Sequence, residues 1–520
     1  MNMSLRIVLA LFSGILLIIS FPRFDLSFAV WIALVPLLLA LRGQAVIRSF
    51  GLGFLTGLAF IIGVFYWITQ PASVLIPDFL LMVSYLALYV ALFGAMLTFF
   101  SHRAPFLPMW LTAPVLWVSC EYLRSNFFFL EFPWALLGHT QHTHLALIQI
   151  AAFTGAYGVS FLIVMANVAV FELIHRRDQS LVPLTAAFAL VGLTMTYGAY
   201  ALSLSPQNGS LPVTVVQGDV PQDIRWDREF RDSTLAYHGE LTKRAMQGHP
   251  GALVVWPETS VPGGLRRDAT AMMTLASLAR DLDASLLVGT AERAKFKPKE
   301  QDPAKTNRYN NASLIAPTGR IVQNYRKIKL MPFGEYLPAS PLWAWPSRYA
   351  SNAGHFIAGD QFTVFRLPSL DGETTLFSVM ICWETIFPGL AREFVRGGAM
   401  FLVAMSNEAY FRESAALEQF LSMNVFRAVE NRRSVVRSVN AGISCVIDPF
   451  GRIIKVMDQD EAGRFIGGSF TQDVSLVQDL TFYTRYGDLF AQFLTMGAGL
   501  ALGLSCVRRP RQALVATRCG

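Results

Sequence analysis

The chain opens with a series of long apolar stretches separated by short polar segments. A helix that crosses a bilayer needs about 20 mostly apolar residues, and such stretches recur up to residue 204 and once more near the C-terminus. The spacing predicts a membrane domain of about eight transmembrane helices. These helices are expected at residues 5–21, 26–41, 51–69, 78–100, 106–123, 147–174, 182–203 and 488–507.

Between the last two of these spans the pattern changes to short β-branched runs that alternate with amphipathic, more polar stretches. This alternation is typical of a soluble domain that mixes strands and helices. We therefore expect a membrane domain at 1–204, an extramembrane domain at 205–487 and a C-terminal transmembrane helix with a cytoplasmic tail at 488–520. Helices are predicted at Ala271–Asp281 and Ala415–Glu430. The predicted strands are Val213–Gln217, Leu253–Trp256, Ser285–Gly289, Ala312–Ala316, Leu376–Ile381, Phe401–Met405, Val435–Val439 and Ser444–Ile447.

Composition supports a membrane protein, because 53% of the residues are hydrophobic and only 15% are charged. The net charge of +7 does not indicate nucleic acid, since the arginines cluster at the ends of apolar segments instead of forming a basic stripe. Their placement predicts topology by the excess of positive charge in cytoplasmic loops. The richer side, with both termini, is expected in the cytoplasm, and residues 205–487 in the periplasm of a bacterial inner membrane. Two arginines, Arg23 and Arg124, fall on the periplasmic side. The cytoplasmic side holds Arg6, Arg42, Arg48, Arg103, Arg176, Arg177, Arg508, Arg509, Arg511 and Arg518.

Neither the cysteines nor the histidines indicate a metal or another cofactor. The five cysteines are unevenly spaced and form no CxxC pair, so neither a disulfide framework nor a zinc site is predicted. His139, His142 and His144 precede a predicted span without carboxylates at ligand spacing. We expect them to be interfacial side chains and expect no metal site.

Three sequence motifs at or near predicted strand ends carry groups suited to acyl chemistry. In Val-Val-Trp-Pro-Glu-Thr, residues 254–259, an apolar strand leads directly to Glu258, a candidate general base and acid. Residues 324–338 contain a basic cluster, in which Lys327 or Lys329 is a candidate for oxyanion stabilisation, followed by Glu335. Residues 377–384 form a buried run that ends at Cys382, a candidate nucleophile and acyl carrier. Each motif alone is also explained by a solvated glutamate, a surface lysine or an inert buried cysteine.

Taken in this order, the three motifs resemble those of the nitrilase superfamily, whose αββα sandwich carries a Glu, Lys, Cys triad. With seven predicted spans before this domain and one after it, the chain is similar to the apolipoprotein N-acyltransferase family. The similarity rests on residues 216–222 with Trp226, on Trp-Pro-Glu-Thr, and on Tyr-x-Lys-x-x-Leu-x-Pro-Phe-Gly-Glu at 325–335. It continues through Ile-Cys-x-Glu at 381–384 and residues 436–444, and it includes Phe-Pro-Trp at 132–134 in the membrane part.

The resemblance implies specific roles for these residues. Glu258 would be the base and acid, Lys327 the oxyanion stabiliser and Cys382 the nucleophile, with Glu335 and Glu384 in support. Lys327 is selected over Lys329 because it aligns with the family motif. Trp226 would gate the donor site. The chain departs from the commoner family pattern at Trp383, Glu408 and Tyr410, which leaves the shape of the acceptor pocket open and makes Trp383 and Tyr410 candidate substrate-binding residues.

The activity implied by the resemblance is a two-step acyl transfer between lipids. Cys382 would take a fatty acyl chain from a phospholipid such as phosphatidylethanolamine, and the thioester would pass it to the α-amine of the diacylglyceryl-cysteine of an apolipoprotein. A site at the bilayer surface avoids extracting an acyl chain into water, which costs about 0.8 kcal/mol per CH₂. A membrane-tethered amidase, in which water resolves the thioester, is the enzymatic alternative. A transporter or channel is disfavoured because the middle of each span is almost free of charge.

The run from Tyr336 to Tyr349 is rich in both proline and aromatic residues and contains Trp343 and Trp345. Three prolines exclude a regular helix or a central strand, so a loop is predicted. Tryptophan and tyrosine favour the headgroup level of a bilayer. We therefore expect this loop to dip into the outer leaflet and to form a wall of the path from lipid to Cys382; the alternative is that its rings cover the domain's own core.

Overall fold

The computed structural model describes residues 1–70, 74–127, 130–175, 181–205, 209–221, 228–249, 251–294, 308–336, 356–368, 374–411, 414–461 and 463–507. Within these ranges the chain forms a helical region, to which both ends contribute, and a region of two β-sheets between them. Each region corresponds to one of the two sequence patterns.

The helical region contains six helices, among the described residues, that are long and apolar enough to cross a membrane. Large apolar side chains remain exposed on their outer faces, including Phe188, Leu193 and Leu500, as expected where lipid rather than water surrounds the protein. The multi-span helical fold class is therefore confirmed. The six helices are Met3–Ser20, Val46–Thr69, Ile76–Arg103, Ala156–His175, Val182–Ser203 and Leu489–Cys506.

Three of the predicted spans have a different form in the structure. The span expected at 26–41 is a 3₁₀ turn, Ala29–Trp31, followed by a short helix, Val35–Leu41. The span expected at 106–123 is an 18-residue helix, Met109–Asn126, whose last two turns bury Glu121 and Arg124.

The third such span, expected at 147–174, is interrupted near its start. It begins as two one-turn helices, Leu145–Ile148 and Ala151–Thr154, and its long helix starts only at Ala156. Gly155 has a φ of 63°, a left-handed conformation that ends the preceding turn. Hydropathy does not detect such a break, because the residues on both sides of it are apolar.

Glycines allow two of the long helices to pack closely. A Cβ atom on Gly57 would lie 2.9 Å from the Cα atom of Ala87, and one on Gly53 would lie 2.6 Å from the carbonyl oxygen of Val90. The helices Val46–Phe65 and Ile76–Arg103 therefore approach backbone to backbone. Small residues at such contacts are a common basis of helix packing in membranes.

The sheet region contains two six-stranded sheets of similar design. The first has the order β12-β1-β2-β3-β4-β5 and the second the order β11-β10-β9-β8-β7-β6. Three central strands run parallel in each sheet, and the outer strands pair antiparallel. In the first sheet the strands are β1 Ser210–Gln217, β2 Leu253–Val255, β3 Ser285–Arg293, β4 Arg308–Ile315, β5 Ile321–Arg326 and β12 Gly468–Ser475. In the second they are β6 Phe365–Pro368, β7 Thr374–Ile381, β8 Phe401–Ser406, β9 Ser434–Val439, β10 Cys445–Ile447 and β11 Ile453–Val456.

The two sheets face each other and helices cover their outer faces, so the predicted αββα sandwich is confirmed. Helices Arg228–Ala245 and Ala269–Asp281 pack on the first sheet around a core that includes Val254 and Leu286. Helices Pro388–Arg396 and Ala416–Asn431 pack against the second sheet. Ser438 ties the sheets together, because its hydroxyl lies 3.1 Å from the carbonyl oxygens of both Val216 and Val255.

Helix Ala416–Asn431 also joins the sandwich to the membrane helices. The Gln419 amide donates to the carbonyl oxygens of Pro22 and Val64, each at 3.1 Å, and its side-chain oxygen accepts from the Trp134 indole at 3.0 Å. One buried side chain of the sandwich thus contacts three separate segments of the helical region.

Candidate active site

Glu258 stands just past the end of β2, where the chain leaves the first sheet. The preceding Trp256 is fully buried and its indole donates to Thr242 at 2.9 Å, which holds the strand end in place. One Glu258 oxygen accepts from the Asn310 side chain at 2.7 Å, and the other accepts from the backbone N–H of Asn407 at 2.9 Å. The carboxylate is therefore buried but held by hydrogen bonds from both sheets.

Lys327 directly follows β5 and only 1% of its side chain is exposed. Its ammonium group lies 2.8 Å from an oxygen of Glu335, which also accepts from the N–H of Met331 at 2.7 Å. Burial alone would lower the pKa of Lys327, but the negative charges of Glu335 and Glu258 outweigh burial and raise the pKa above its ordinary value. Lys327 is therefore a buried cation that keeps its charge.

Cys382 directly follows β7 and begins a 3₁₀ turn, Cys382–Ile386. Its φ of 52° lies in the left-handed region, which costs a non-glycine residue about 1–3 kcal/mol. Burial raises the pKa of its thiol, and Glu258 and Glu335 act in the same direction, while Lys327 opposes them. The resting group is therefore a thiol, and it is close enough to these three residues to sense their charges.

Asn310 connects the two carboxylates of the site and was not predicted from the sequence. Its side-chain amide donates to Glu258 at 2.7 Å and to Glu335 at 2.9 Å, and its backbone carbonyl accepts from the backbone N–H of Lys327 at 2.8 Å. Asparagine is uncommon in strands, and Asn310 with Asn311 in the middle of β4 was the available signal. A sequence pattern could have marked the position but not its partners.

Glu384 fixes the backbone on which both Cys382 and Lys327 are mounted. It is fully buried and accepts from the N–H groups of Ile381 and Ile328, each at 2.7 Å, and from that of Lys329 at 3.0 Å. Burial raises its pKa to about 7, although these hydrogen bonds favour the carboxylate. Glu384 therefore sets the spacing of β7 and the end of β5.

Trp383 packs in a cluster of aromatic rings, which we call the aromatic wall. Its ring centroid lies 5.9 Å from those of Phe132 and Trp134, which belong to the helical region. Trp67, also from that region, lies 5.3 Å from Trp134 and 4.9 Å from Phe411. The aromatic wall thus consists of Trp67, Phe132, Trp134, Trp383, Phe387, Phe411 and Phe420.

The structure describes only some of the other predicted site residues. Tyr410 is 46% exposed and precedes Phe411 in a short 3₁₀ turn. Trp226, Trp343 and Trp345, with the loop from 337 onward, lie outside the described residues. His139 is buried against the ring of Phe426 at 5.2 Å. Across the described ranges, no group of three metal-ligating side chains is arranged to hold an ion.

The structure therefore brings Glu258, Lys327, Cys382, Glu335 and Glu384 together where the sheets meet the helical region. A thiol, a carboxylate and a buried ammonium that sense one another's charges are suited to nucleophilic acyl chemistry. Three of the seven rings of the aromatic wall beside them, Trp67, Phe132 and Trp134, come from the helical region.

Comparisons with known proteins agree with this architecture. Residues 13–169 match the family described as Apolipoprotein N-acyltransferase N-terminal domain, and residues 213–476 match the family described as Carbon-nitrogen hydrolase. The apolipoprotein N-acyltransferase of Geobacter metallireducens is 36% identical over 516 residues, which cover 96% of this chain and 95% of that one. The Chlorobaculum tepidum protein of the same name is 29% identical, with 96% of each chain covered.

A solved amidase of the nitrilase superfamily from Nesterenkonia aligns with 56% of this chain and all of its own, at 19% identity and a TM-score of 0.39. The sequence relationships to the Geobacter and Chlorobaculum proteins extend over both regions of the chain. The chain therefore belongs to the apolipoprotein N-acyltransferase family, and it is a multi-pass bacterial membrane acyltransferase with a carbon-nitrogen hydrolase domain.

Proposed function

We propose that this enzyme transfers a fatty acyl chain from a membrane phospholipid, through a thioester on Cys382, to the N-terminal amine of the diacylglyceryl-cysteine of apolipoproteins. The observation that carries the proposal is the position of Cys382 between two unlike surfaces. Charged groups of the sandwich lie on one side, and the aromatic wall begins at the next residue, Trp383. An acyl ester needs polar groups at its carbonyl and apolar surface along its chain.

In the first step the Cys382 thiol must lose its proton, because its pKa is raised by burial. Glu258 accepts this proton as the sulfur attacks the ester carbonyl carbon of the phospholipid. The ammonium of Lys327 stabilises the negative charge that develops on the carbonyl oxygen. The C–O bond then breaks, the lysophospholipid alcohol leaves with the proton from Glu258, and Cys382 keeps the acyl group as a thioester.

In the second step the α-amine of the acceptor attacks the thioester carbonyl. Glu258 takes a proton from the amine, an amide bond forms, and the C–S bond breaks. The Cys382 sulfur receives the proton and returns to the thiol. Glu335 and Glu384 are positioning residues in this scheme, because Glu335 pairs with Lys327 and Glu384 binds the backbone beside both Lys327 and Cys382.

We also propose that Trp226, Trp383 and Tyr410 contact the lipid substrates and that the loop with Trp343 and Trp345 meets the outer leaflet. The sandwich would then face the periplasm and both termini the cytoplasm, as the placement of arginines indicates. Single cysteines placed in the sandwich and near the N-terminus, and labelled in intact cells with a membrane-impermeant maleimide, test this topology. The proposal requires labelling in the sandwich only.

The mechanism is tested by single turnover of the full-length protein with phosphatidylethanolamine alone. Mass spectrometry should find the acyl group on Cys382, and the adduct should persist until a diacylated peptide with a free N-terminus is added. Cys382→Ala should abolish both adduct and transfer. Cys445→Ala, which removes a fully buried thiol from β10, is the matched control and should retain both.

Two outcomes contradict the proposal. An active Cys382→Ala variant would exclude the thioester route. Rapid release of free fatty acid, with water instead of the peptide resolving the adduct, would favour the membrane-tethered amidase.

A further inference from the structure

An ion pair joins the sandwich to the helical region at the edge of the aromatic wall. The Lys329 ammonium contacts the carboxylate of Glu131, and their side chains are 38% and 27% exposed. Lys329 belongs to the segment that follows β5, whereas Glu131 belongs to the connection that follows the helix Met109–Asn126. We call Lys329 and Glu131 the rim pair.

The rim pair lies one aromatic layer away from the residue that follows the nucleophile. The Lys329 ammonium is 5.1 Å from the centroid of the Phe387 ring, which is 5.8 Å from that of Trp383. Glu131 immediately precedes Phe132, whose ring is 5.9 Å from that of Trp383. The Lys329 ammonium is therefore connected to Trp383 through the Phe387 ring, and Glu131 is the chain neighbour of a second ring that contacts Trp383.

The backbone of Lys329 is also held at a set distance from Cys382. Its N–H donates to Glu384 at 3.0 Å, and the same carboxylate accepts from Ile381, the residue before Cys382. A ligand bound at the Lys329 ammonium would therefore lie within the reach of one lysine side chain from a backbone position that Glu384 ties to the residue before Cys382. Lys327, two residues earlier, is almost fully buried, so the two lysines meet different surroundings.

Stability does not account for the rim pair, because partly exposed ion pairs contribute little to it. A partly exposed pair can, however, exchange partners with a zwitterion, since each of its charges then finds an opposite charge again. A phosphoethanolamine headgroup carries a phosphodiester and an ammonium with three N–H donors, separated by two carbons. It presents these charges a few bonds from the acyl ester.

We propose that the rim pair binds the headgroup of the acyl donor, with Lys329 on the phosphodiester and Glu131 on the ammonium. The inference rests on the proposed function and adds to it the two residues that hold the donor's headgroup. A phosphoglycerol headgroup has no positive charge for Glu131 and brings a phosphate near its carboxylate. A phosphocholine headgroup has the positive charge but no N–H donors.

The test compares single-turnover acylation of Cys382 by phosphatidylethanolamine and by phosphatidylglycerol with identical acyl chains. The full-length protein is presented with each donor in the same detergent micelles. Glu131→Gln should lower the preference for the ethanolamine donor about fivefold, the size expected for one partly exposed charge interaction. Lys329→Met should slow acylation by both donors, because both carry the phosphodiester.

Two further variants separate headgroup binding from a structural contact. Glu240→Gln removes the carboxylate of an exposed ion pair with Arg244 on helix Arg228–Ala245, and it should leave the donor preference unchanged. The double variant Glu131→Lys with Lys329→Glu restores an ion pair with reversed polarity. It should not restore the ethanolamine preference, because each charge now faces the wrong end of the headgroup.

The inference is overturned if Glu131→Gln leaves the donor ratio unchanged, if it slows both donors in parallel, or if the reversed pair restores the ratio. The last two outcomes would make the rim pair a contact between the two regions only. If the unmodified protein forms no thioester with any phospholipid, the proposed function fails instead, so the two failures are distinguishable.

Discussion

Two unlike surfaces meet at Cys382, and they are built in different ways. The polar surface consists of Glu258, Asn310, Lys327 and Glu335, all from the first sheet and the segments that leave it, joined by hydrogen bonds of 2.7–2.9 Å. The aromatic wall brings together rings from both regions of the chain, with centroids about 5 to 6 Å apart. One surface depends on directional bonds and the other on packing.

This difference determines how each surface responds to change. Each polar group has specific hydrogen-bond or ion-pair partners, so the loss of one group leaves a buried donor or acceptor unsatisfied. The aromatic wall has few directional contacts, and its position depends on hydrogen bonds at its periphery. Trp134 is held by Gln419, and the backbone carbonyl of Trp134 accepts from Arg124 at 2.7 Å. We expect changes on the polar side to reduce all chemistry and changes behind the wall to reduce reaction with lipids.

The largest effect is expected for Glu258→Gln, which preserves size but removes proton transfer. Acylation of Cys382 should slow by about 10²- to 10⁴-fold, the usual contribution of a general base. The loss should be equal for phospholipid and for a short, water-soluble aryl ester, measured by single turnover. Glu393→Gln, on the surface of the same domain, is the control. Near-normal rates in Glu258→Gln would remove this residue from the mechanism.

Asn310→Ala is expected to have the next largest effect, because it removes the hydrogen bonds that the Asn310 amide donates to the carboxylates of Glu258 and Glu335. Hydrogen bonds to charged groups contribute about 1.5–3 kcal/mol, so acylation should slow by roughly 10- to 100-fold. The neighbouring Asn311→Ala is the matched control, since the Asn311 amide instead contacts Thr290, Ser313 and Asn324. Thermal unfolding of both variants shows whether stability falls equally. Equal rate losses in both would indicate a general effect on β4.

Gln419→Leu tests the role of the aromatic wall. It removes the hydrogen bonds to Trp134, Pro22 and Val64, which together position the aromatic wall. We expect acylation by phospholipid to fall about tenfold relative to acylation by the short ester, which is about 1.4 kcal/mol. Ser422→Ala on the same helix is the control, because its hydroxyl donates within the helix. A parallel fall with both esters would assign Gln419 to the stability of the protein.

The smallest effect is a shift in the pH dependence of Cys382 alkylation by iodoacetamide. The Glu258 carboxylate raises the pKa of the thiol, so Glu258→Gln should move the midpoint of alkylation to lower pH. The Lys327 ammonium lowers that pKa, so Lys327→Met should move the midpoint to higher pH. Cys382→Ala reports the background from other thiols. If both variants shift the midpoint in the same direction, the charges of Glu258 and Lys327 do not control the pKa of the Cys382 thiol.

The strands show how far the hydrophobic pattern reaches. All eight predicted strands are present, and the four that were missed within the described residues, β5, β6, β11 and β12, are the two edges of each sheet. A central strand is buried on both faces and reads as a continuous apolar run. An edge strand is partly exposed, as in β11, where all four residues are exposed. Edge strands are therefore defined by their neighbours and not by their own composition.

Long apolar runs are contiguous in the chain, so the sequence alone predicted the two-region architecture. Local motifs at strand ends also marked Glu258 and Cys382 as candidates, and the resemblance to a known family selected Lys327 over Lys329. The folded structure was needed to show which buried groups contact these three residues. Asn310 reaches both carboxylates from β4, and Phe132 and Trp134 reach Trp383 across about 250 positions of sequence. Hydropathy also did not separate the interrupted helix at Gly155 or the buried Glu121 and Arg124 from ordinary spans. Packing partners and buried hydrogen bonds depend on which distant segments come close in the fold, and a local sequence pattern contains no such information.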